Sequence, residues 1–258
     1  MNKETPLICI LGGMGPAAGV DLQKKIILNT SSIHTNGDKS HLSVIHLCFP
    51  NAISDRSDFL AGKTQKNPAI QVFDILSRYI PYSQPIIIGI ACNTFHSDKI
   101  FSVFKKLVSE NYEHFNIVSI IEACTNSLLN FKTAVLTTKG TYDNEVYLKL
   151  LNKRNISNNR LTNSEASNIH DLIYNKKYGI KFSRNTKPIV VSRLKTICRQ
   201  QIDDGVRQII LGCTELSLVL KENEFKDCKL IDSNNELAKS IIKEFKIMKK
   251  TIGNKRGC

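Results

Sequence analysis

The chain has 258 residues, enough for one large domain or two smaller ones with separate cores. Its 41% hydrophobic and 23% charged residues are ordinary for a globular protein, and no apolar run approaches the roughly 20 residues of a membrane span, so no membrane partner is expected. The net charge of +13 is spread along the chain, densest over 243–256, without a nucleic-acid-binding signature; it reads as a solvated surface, and no nucleic-acid partner is expected.

Leu7–Leu11 is fully apolar and predicts a buried strand. Gly12-Gly-Met-Gly-Pro16 follows as a turn, with Pro16 suited to the first turn of a helix running to about Asn29. Leu42–Cys48 predicts the next strand, and the polar stretch Asn51–Lys66 reads as a loop. Pro68–Tyr79 has helical spacing in Ile70, Phe73, Ile75 and Leu76. Pro85–Ile90 predicts a strand leading to Cys92, with a helix near Lys99–Val108. Ile117–Ile120 starts the pattern again. Thr133–Thr137 predicts a strand, followed by a turn at Gly140 and a helix from about Asn144. Gln208–Leu211 and Lys229–Ile231 are strand-like, and Asn235–Met248 reads as a closing helix. Such alternation implies α/β layers around parallel sheets.

The pattern also repeats. Leu7-Ile-Cys-Ile-Leu-Gly12 resembles Thr133-Ala-Val-Leu-Thr-Thr138, and each precedes a glycine-containing turn and a helix. Pro85-Ile-Ile-Ile-Gly-Ile-Ala-Cys92-Asn-Thr94 resembles Gln208-Ile-Ile-Leu-Gly-Cys213-Thr-Glu215. The expected fold class is α/β: two pseudo-symmetric α/β domains with central parallel sheets and a site in the cleft between them. The first is expected over 1–113, completed by 228–258, and the second over 114–227.

The eight cysteines are scattered, with no CxxC pair and no Cys/His cluster at zinc spacing, so no metal is expected. No basic segment with a cleavage site precedes the first strand, and a cytoplasmic protein with reduced thiols is expected. Cys92 and Cys213 stand apart. Each ends a strand buried on both faces, and ligands of parallel sheets bind at the carboxyl ends of strands. Two thiols converging there suit a two-base proton transfer. Both precede expected helices, whose N-termini favour the thiolate. Cys9 and Cys48 read as strand residues and Cys258 as part of a polar tail.

Leu11-Gly-Gly-Met-Gly-Pro16, Pro50-Asn-Ala-Ile-Ser-Asp-Arg56, Cys92-Asn-Thr-Phe-His96 and Leu211-Gly-Cys-Thr-Glu215 lie in this order across nearly the whole chain. Together they resemble the aspartate/glutamate racemase family, and within it the aspartate racemase branch. The resemblance implies racemisation with no cofactor, neither pyridoxal phosphate nor metal, and a homodimer. Cys92 and Cys213 then take and return the Cα proton on opposite faces, sparing a single base from crossing the substrate plane. Asn93, Thr94 and Thr214 are expected donors to the α-carboxylate. Gly13 and Met14, with Gly12 and Gly15, are expected to wall the pocket; their spacing is not a dinucleotide fingerprint.

An acidic side chain calls for a fixed cation, and the fork of Arg56 binds a carboxylate bidentately. Lys177, two residues before Gly179, matches a substrate-side lysine of the branch, with Lys176 as the alternative. His96 reads as structural more than proton-transferring, and Glu215 as a partner of a lysine or of Cys213. The expected substrate is aspartate, with glutamate second. A broad-specificity racemase or small-acid isomerase on the same scaffold is the enzyme alternative. A catalytically silent small-acid binding protein is the alternative of another class.

Overall fold

The computed structural model describes residues 5–30, 37–80, 84–183 and 185–254; Cys258 lies outside them. Strands β1 (Leu7–Leu11), β2 (Val44–Leu47), β3 (Ile86–Ile90) and β4 (Phe115–Val118) form one sheet in the order β2-β1-β3-β4. Strands β5 (Thr133–Leu136), β6 (Asn158–Asn159), β7 (Gln208–Leu211) and β8 (Lys229–Asp232) form a second, in the order β6-β5-β7-β8. Every pairing is parallel. The two orders are equivalent, with β1 and β3 corresponding to β5 and β7, as the repeat predicts.

The apolar runs follow from burial on both faces. Successive strand side chains point to opposite faces. Leu7, Cys9 and Leu11 therefore enter one core with Ile86, Ile88 and Ile90, covered by α3 (Pro68–Tyr79) and α4 (Asp98–Asn111). Ile8, Ile10 and Ile87 enter a second core with Ile210 and Ile231 of the other sheet. Helices α1 (Pro16–Thr30), α5 (Ile120–Asn126) and α10 (Ser233–Asn254) fill this shared layer. Ile209 and Leu211 face a third core under α8 (Asn163–Tyr174) and α9 (Pro188–Asp203). Among the described residues, three further helices are short: α2 (Arg56–Leu60), α6 (Lys139–Asp143) and α7 (Leu148–Lys153).

The sheets move both expected domain boundaries. β4 pairs with β3, so the first sheet extends past residue 113; β8 pairs with β7, so the second extends past 227. α10 does return to the first half, packing on α1, β3 and β4. The crossing point is Asp232–Ser233, one strand later than expected, because an edge strand needs its neighbour's ladder to satisfy its backbone.

Further differences are local. The polar stretch 51–66 contains α2, started by the Asp55 side chain, which accepts from the Ser57 and Asp58 amides at 2.8 and 3.1 Å. α8 and α9 have no counterpart in the sequence reading. α8 opens with a reciprocal capping box between Thr162 and Glu165, and α9 with Pro188. Among the described residues, no helix is long and apolar enough to cross a membrane.

Candidate active site

The carboxyl ends of β1, β3, β5 and β7, the central strands of both sheets, meet around one narrow cleft. Cys92 reaches it from the first half and Cys213 from the second. Asn93, Thr94, Thr214, Met14 and Arg56 also line it.

On the first side, Cys92 follows β3, its amide turned back onto the Ile90 carbonyl at 2.8 Å. Arg56 lies against the thiol and is only 6% exposed. As the first residue of α2 it is held in place by carbonyls: one guanidinium nitrogen donates to Ser54 O and another to Met14 O, each at 3.1 Å. Among the described residues its Nε has no hydrogen-bond partner. Burial favours loss of the charge, but the neighbouring Cys92 and Asp55 outweigh it, so Arg56 is held firmly protonated. Met14 thus serves the cleft through its carbonyl, as the seat of Arg56. Gly13 lies behind that wall. Its φ is +86°, and a β-carbon there would stand 3.0 Å from the Phe49 nitrogen. The turn therefore needs glycine for both conformation and space.

Asn93 and Thr94 are fixed by buried networks rather than by capping bonds. Tyr147 Oη donates to Asn93 Oδ1 at 2.5 Å, and Asn93 Nδ2 donates to Ser233 Oγ at 3.2 Å. Thr94 shares hydrogen bonds with Thr141 at 2.8 Å and Thr138 at 3.1 Å, joining the two halves across the cleft. His96 donates from Nδ1 to the Cys92 carbonyl at 2.9 Å and packs on the Phe101 ring. Burial lowers its pKa to about 4, so the ring is neutral. It supports the Cys92 turn and does not line the cleft.

On the second side, Cys213 Sγ donates to Glu215 Oε2 at 2.9 Å, and Lys181 Nζ donates to Glu215 Oε1 at 2.5 Å. Glu215 therefore takes both roles that the sequence left open. Burial pushes the Cys213 thiol well above its ordinary value, and the Glu215 charge adds to this. Burial also pushes Glu215 upward, but Lys181 and the thiol donor outweigh it and hold the carboxyl below its ordinary value. Cys213 is followed by a single 3-10 turn, Leu216–Leu218, not by a helix, so no helix dipole favours its thiolate.

Lys181 replaces the lysine expected at 177. Asn175–Gly179 folds back, with the Gly179 amide on Asn175 O at 2.7 Å, and this leaves Lys176 and Lys177 exposed on the turn. A β-carbon at Gly179 would meet Asn175 backbone atoms at 2.6 Å. The chain re-enters as the turn Ile180–Phe182, which places Lys181 in the cleft with Nζ 5.2 Å from the Tyr174 ring centre. The lysine that lines the cleft thus stands two residues after the glycine, not before it. Tyr174 Oη, in turn, donates to Asp55 Oδ2 at 3.0 Å. Among the described residues, no cluster of three or more His, Cys, Asp or Glu side chains is arranged to hold a metal.

The model of the Asp/Glu/hydantoin racemase family matches residues 11–241. The chain belongs to this family. Its members are racemases, and the protein is accordingly an isomerase of that class. The fold is shared with the aspartate racemase of Picrophilus torridus: TM-score 0.71 at 22% identity, over 93% of this chain and 94% of that one. An aspartate racemase homologue from Pyrococcus horikoshii superposes with a TM-score of 0.67 at 20% identity, covering 93% and 98%. A glutamate racemase from Francisella tularensis, solved with D-glutamate, gives 0.59 at 19% identity, covering 98% and 84%. These solved structures share the two-sheet architecture with this racemase-family chain.

Proposed function

We propose that the protein interconverts the L and D enantiomers of aspartate, with glutamate as a second substrate, without a cofactor. One observation carries this reading: a single narrow cleft is lined by two thiols from different halves and by two fixed cations, Arg56 and Lys181. Cys92 and Cys213 act as the acid–base pair, one removing the Cα proton while the other returns a proton to the opposite face. Arg56 and Lys181 bind the two carboxylates of the substrate, and their charge stabilises the carbanion that forms between the thiols. Asn93, Thr94 and Thr214 orient the α-carboxylate. Lys181 takes the role first expected of Lys177.

The seven described cysteines are all free, which suits a reducing compartment such as the cytoplasm. The family resemblance further implies a homodimer, which light scattering checks.

The deciding experiment is proton NMR of L-aspartate in deuterated buffer without added cofactor. Loss of the α-proton signal should accompany the appearance of D-aspartate, and both should vanish in Cys92→Ala and in Cys213→Ala. Exchange that survives in either variant would refute the two-thiol mechanism. No exchange with aspartate or glutamate would refute the substrate assignment.

A further inference from the structure

Glu215 is the one carboxylate among the described residues lining the cleft, and both its oxygens are engaged. Oε2 accepts from Cys213 Sγ at 2.9 Å, and Oε1 accepts from Lys181 Nζ at 2.5 Å. The glycine turn closes on the same oxygen: a β-carbon at Gly15 would stand 3.0 Å from Oε1 and 3.6 Å from Lys181 Nζ. The cation assigned to a substrate carboxylate is therefore already occupied by a carboxylate of the chain. That carboxylate also holds the proton of a reacting thiol. We propose that Glu215 is a stand-in for the substrate's side-chain carboxylate, and that its displacement from Lys181 makes it the acceptor of the Cys213 proton. This rests on the acidic-amino-acid racemase reading above.

The step balances within the cleft. The substrate carboxylate takes Lys181, and the Lys181–Glu215 ion pair breaks. Glu215, still buried, loses its cation, and burial then favours its neutral form. The S–H bond of Cys213 breaks, an O–H bond forms at Glu215 Oε2, and sulfur keeps the electron pair as thiolate. Lys181 stays charged, now paired with the substrate. The negative charge has moved from Glu215 to the sulfur that takes the Cα proton. An amino acid without a side-chain carboxylate leaves Lys181 on Glu215 and Cys213 protonated. Selectivity for acidic substrates then enters the chemical step as well as binding.

The surrounding groups leave this route open. Among the described residues, Lys181, Arg56, Tyr174, Tyr147 and, across the cleft, Cys92 are the charged or titratable groups around the Cys213–Glu215 pair. Burial holds both tyrosines neutral, and both cations carry their full complement of protons. Without a ligand, burial and the Glu215 charge keep Cys213 a thiol.

The test uses succinate, a dicarboxylate that has no amino group to complete the reaction. Succinate should raise the ultraviolet thiolate band of the wild type and of Cys92→Ser by one equivalent. It should leave Cys213→Ser and Glu215→Gln unchanged, and butyrate should have no effect on any of them. In Glu215→Gln, Lys181 no longer has a competing anion. Succinate should then bind at least about tenfold more tightly, the KM for aspartate should fall, and kcat should drop about a hundredfold. A merely structural role for Glu215 would not lower KM while lowering kcat. Succinate that binds the wild type without the thiolate band overturns the proposal, even if the glutamine variant fails to fold. So does a Glu215→Gln enzyme with wild-type kcat and KM. Either result alongside Cα exchange in the wild type leaves the racemase reading standing. A full succinate response without any Cα exchange sinks the racemase reading and leaves the displacement intact.

Discussion

The Lys181–Glu215 pair lends itself to a quantitative test of the electrostatics, through Lys181→Met. Lys181 and Glu215 side chains are 16% and 8% exposed, so their attraction is poorly screened. Methionine keeps most of the lysine stem against Tyr174, and a swap of similar volume costs less than about 1.5 kcal/mol. The larger effect is electrostatic: removing one partner of a buried pair costs about 3–5 kcal/mol when the other must stay charged. Glu215 can avoid this by taking up a proton, which makes the cost depend on pH. In the wild type its folded pKa lies below the ordinary value, so its contribution is present above about pH 4.3 and is lost on acidification through the folded value. Without Lys181, burial dominates and the folded pKa rises above the unfolded one. The folded variant then binds more protons than the unfolded chain, and its stability falls as pH rises, by up to about 1.4 kcal/mol per pH unit. Urea unfolding of both proteins under reducing conditions should show a small difference at pH 4.5 that widens towards about 3–5 kcal/mol at pH 7.5. Lys181→Met/Glu215→Gln should remove most of the pH dependence. An equal difference at both pH values, or a double variant no more stable than Lys181→Met at pH 7.5, would refute the reasoning.

Three further outcomes follow from the same geometry. Tyr147→Phe leaves the buried Asn93 Oδ1 without its donor, so it should lower the unfolding free energy by about 1–3 kcal/mol and raise the KM for aspartate, read by urea titration and steady-state kinetics. Arg56→Lys keeps the charge but loses the fork that spans Ser54 O and Met14 O; kcat/KM should fall about tenfold to a hundredfold, and a change under threefold would show that the bidentate geometry is not used. His96 is buried neutral with its pKa lowered to about 4, so the stability it contributes is complete above about pH 6.5 and is lost on acidification between there and pH 4, amounting to about 3 kcal/mol. His96→Leu should flatten that part of the pH–stability curve.

The chain alone determined the strands and the thiols. Leu7–Leu11, Pro85–Ile90 and Ile209–Leu211 are apolar on every residue, and such runs need cover on both faces, which is the condition of a parallel sheet between helices. Cys92 and Cys213 were legible because each closes such a run, and the carboxyl end of a parallel strand is where a ligand site forms. Arg56 was legible from its motif, although its helix was not: α2 is too short to show a helical period, and its Asp55 cap looks like any polar loop residue.

Other features depended on contacts between distant segments. The partners of β4 and β8 are chosen by ladders and cores, so residues 113 and 227 carry no local mark of a boundary. Lys177 and Lys181 flank the same glycine, and the crowding of Gly179 on Asn175 turns the first to solvent and the second into the cleft. Tyr147 reaches Asn93 across 54 positions of sequence, and Thr141 reaches Thr94 across 47. Periodicity reports which face of an element is buried, because burial repeats along it. It does not report which buried polar groups meet, because their partners are chosen by the packing of separate elements. The sequence therefore determined the layers and the two cleft thiols of this racemase-family protein, and the tertiary structure decided which charges surround them.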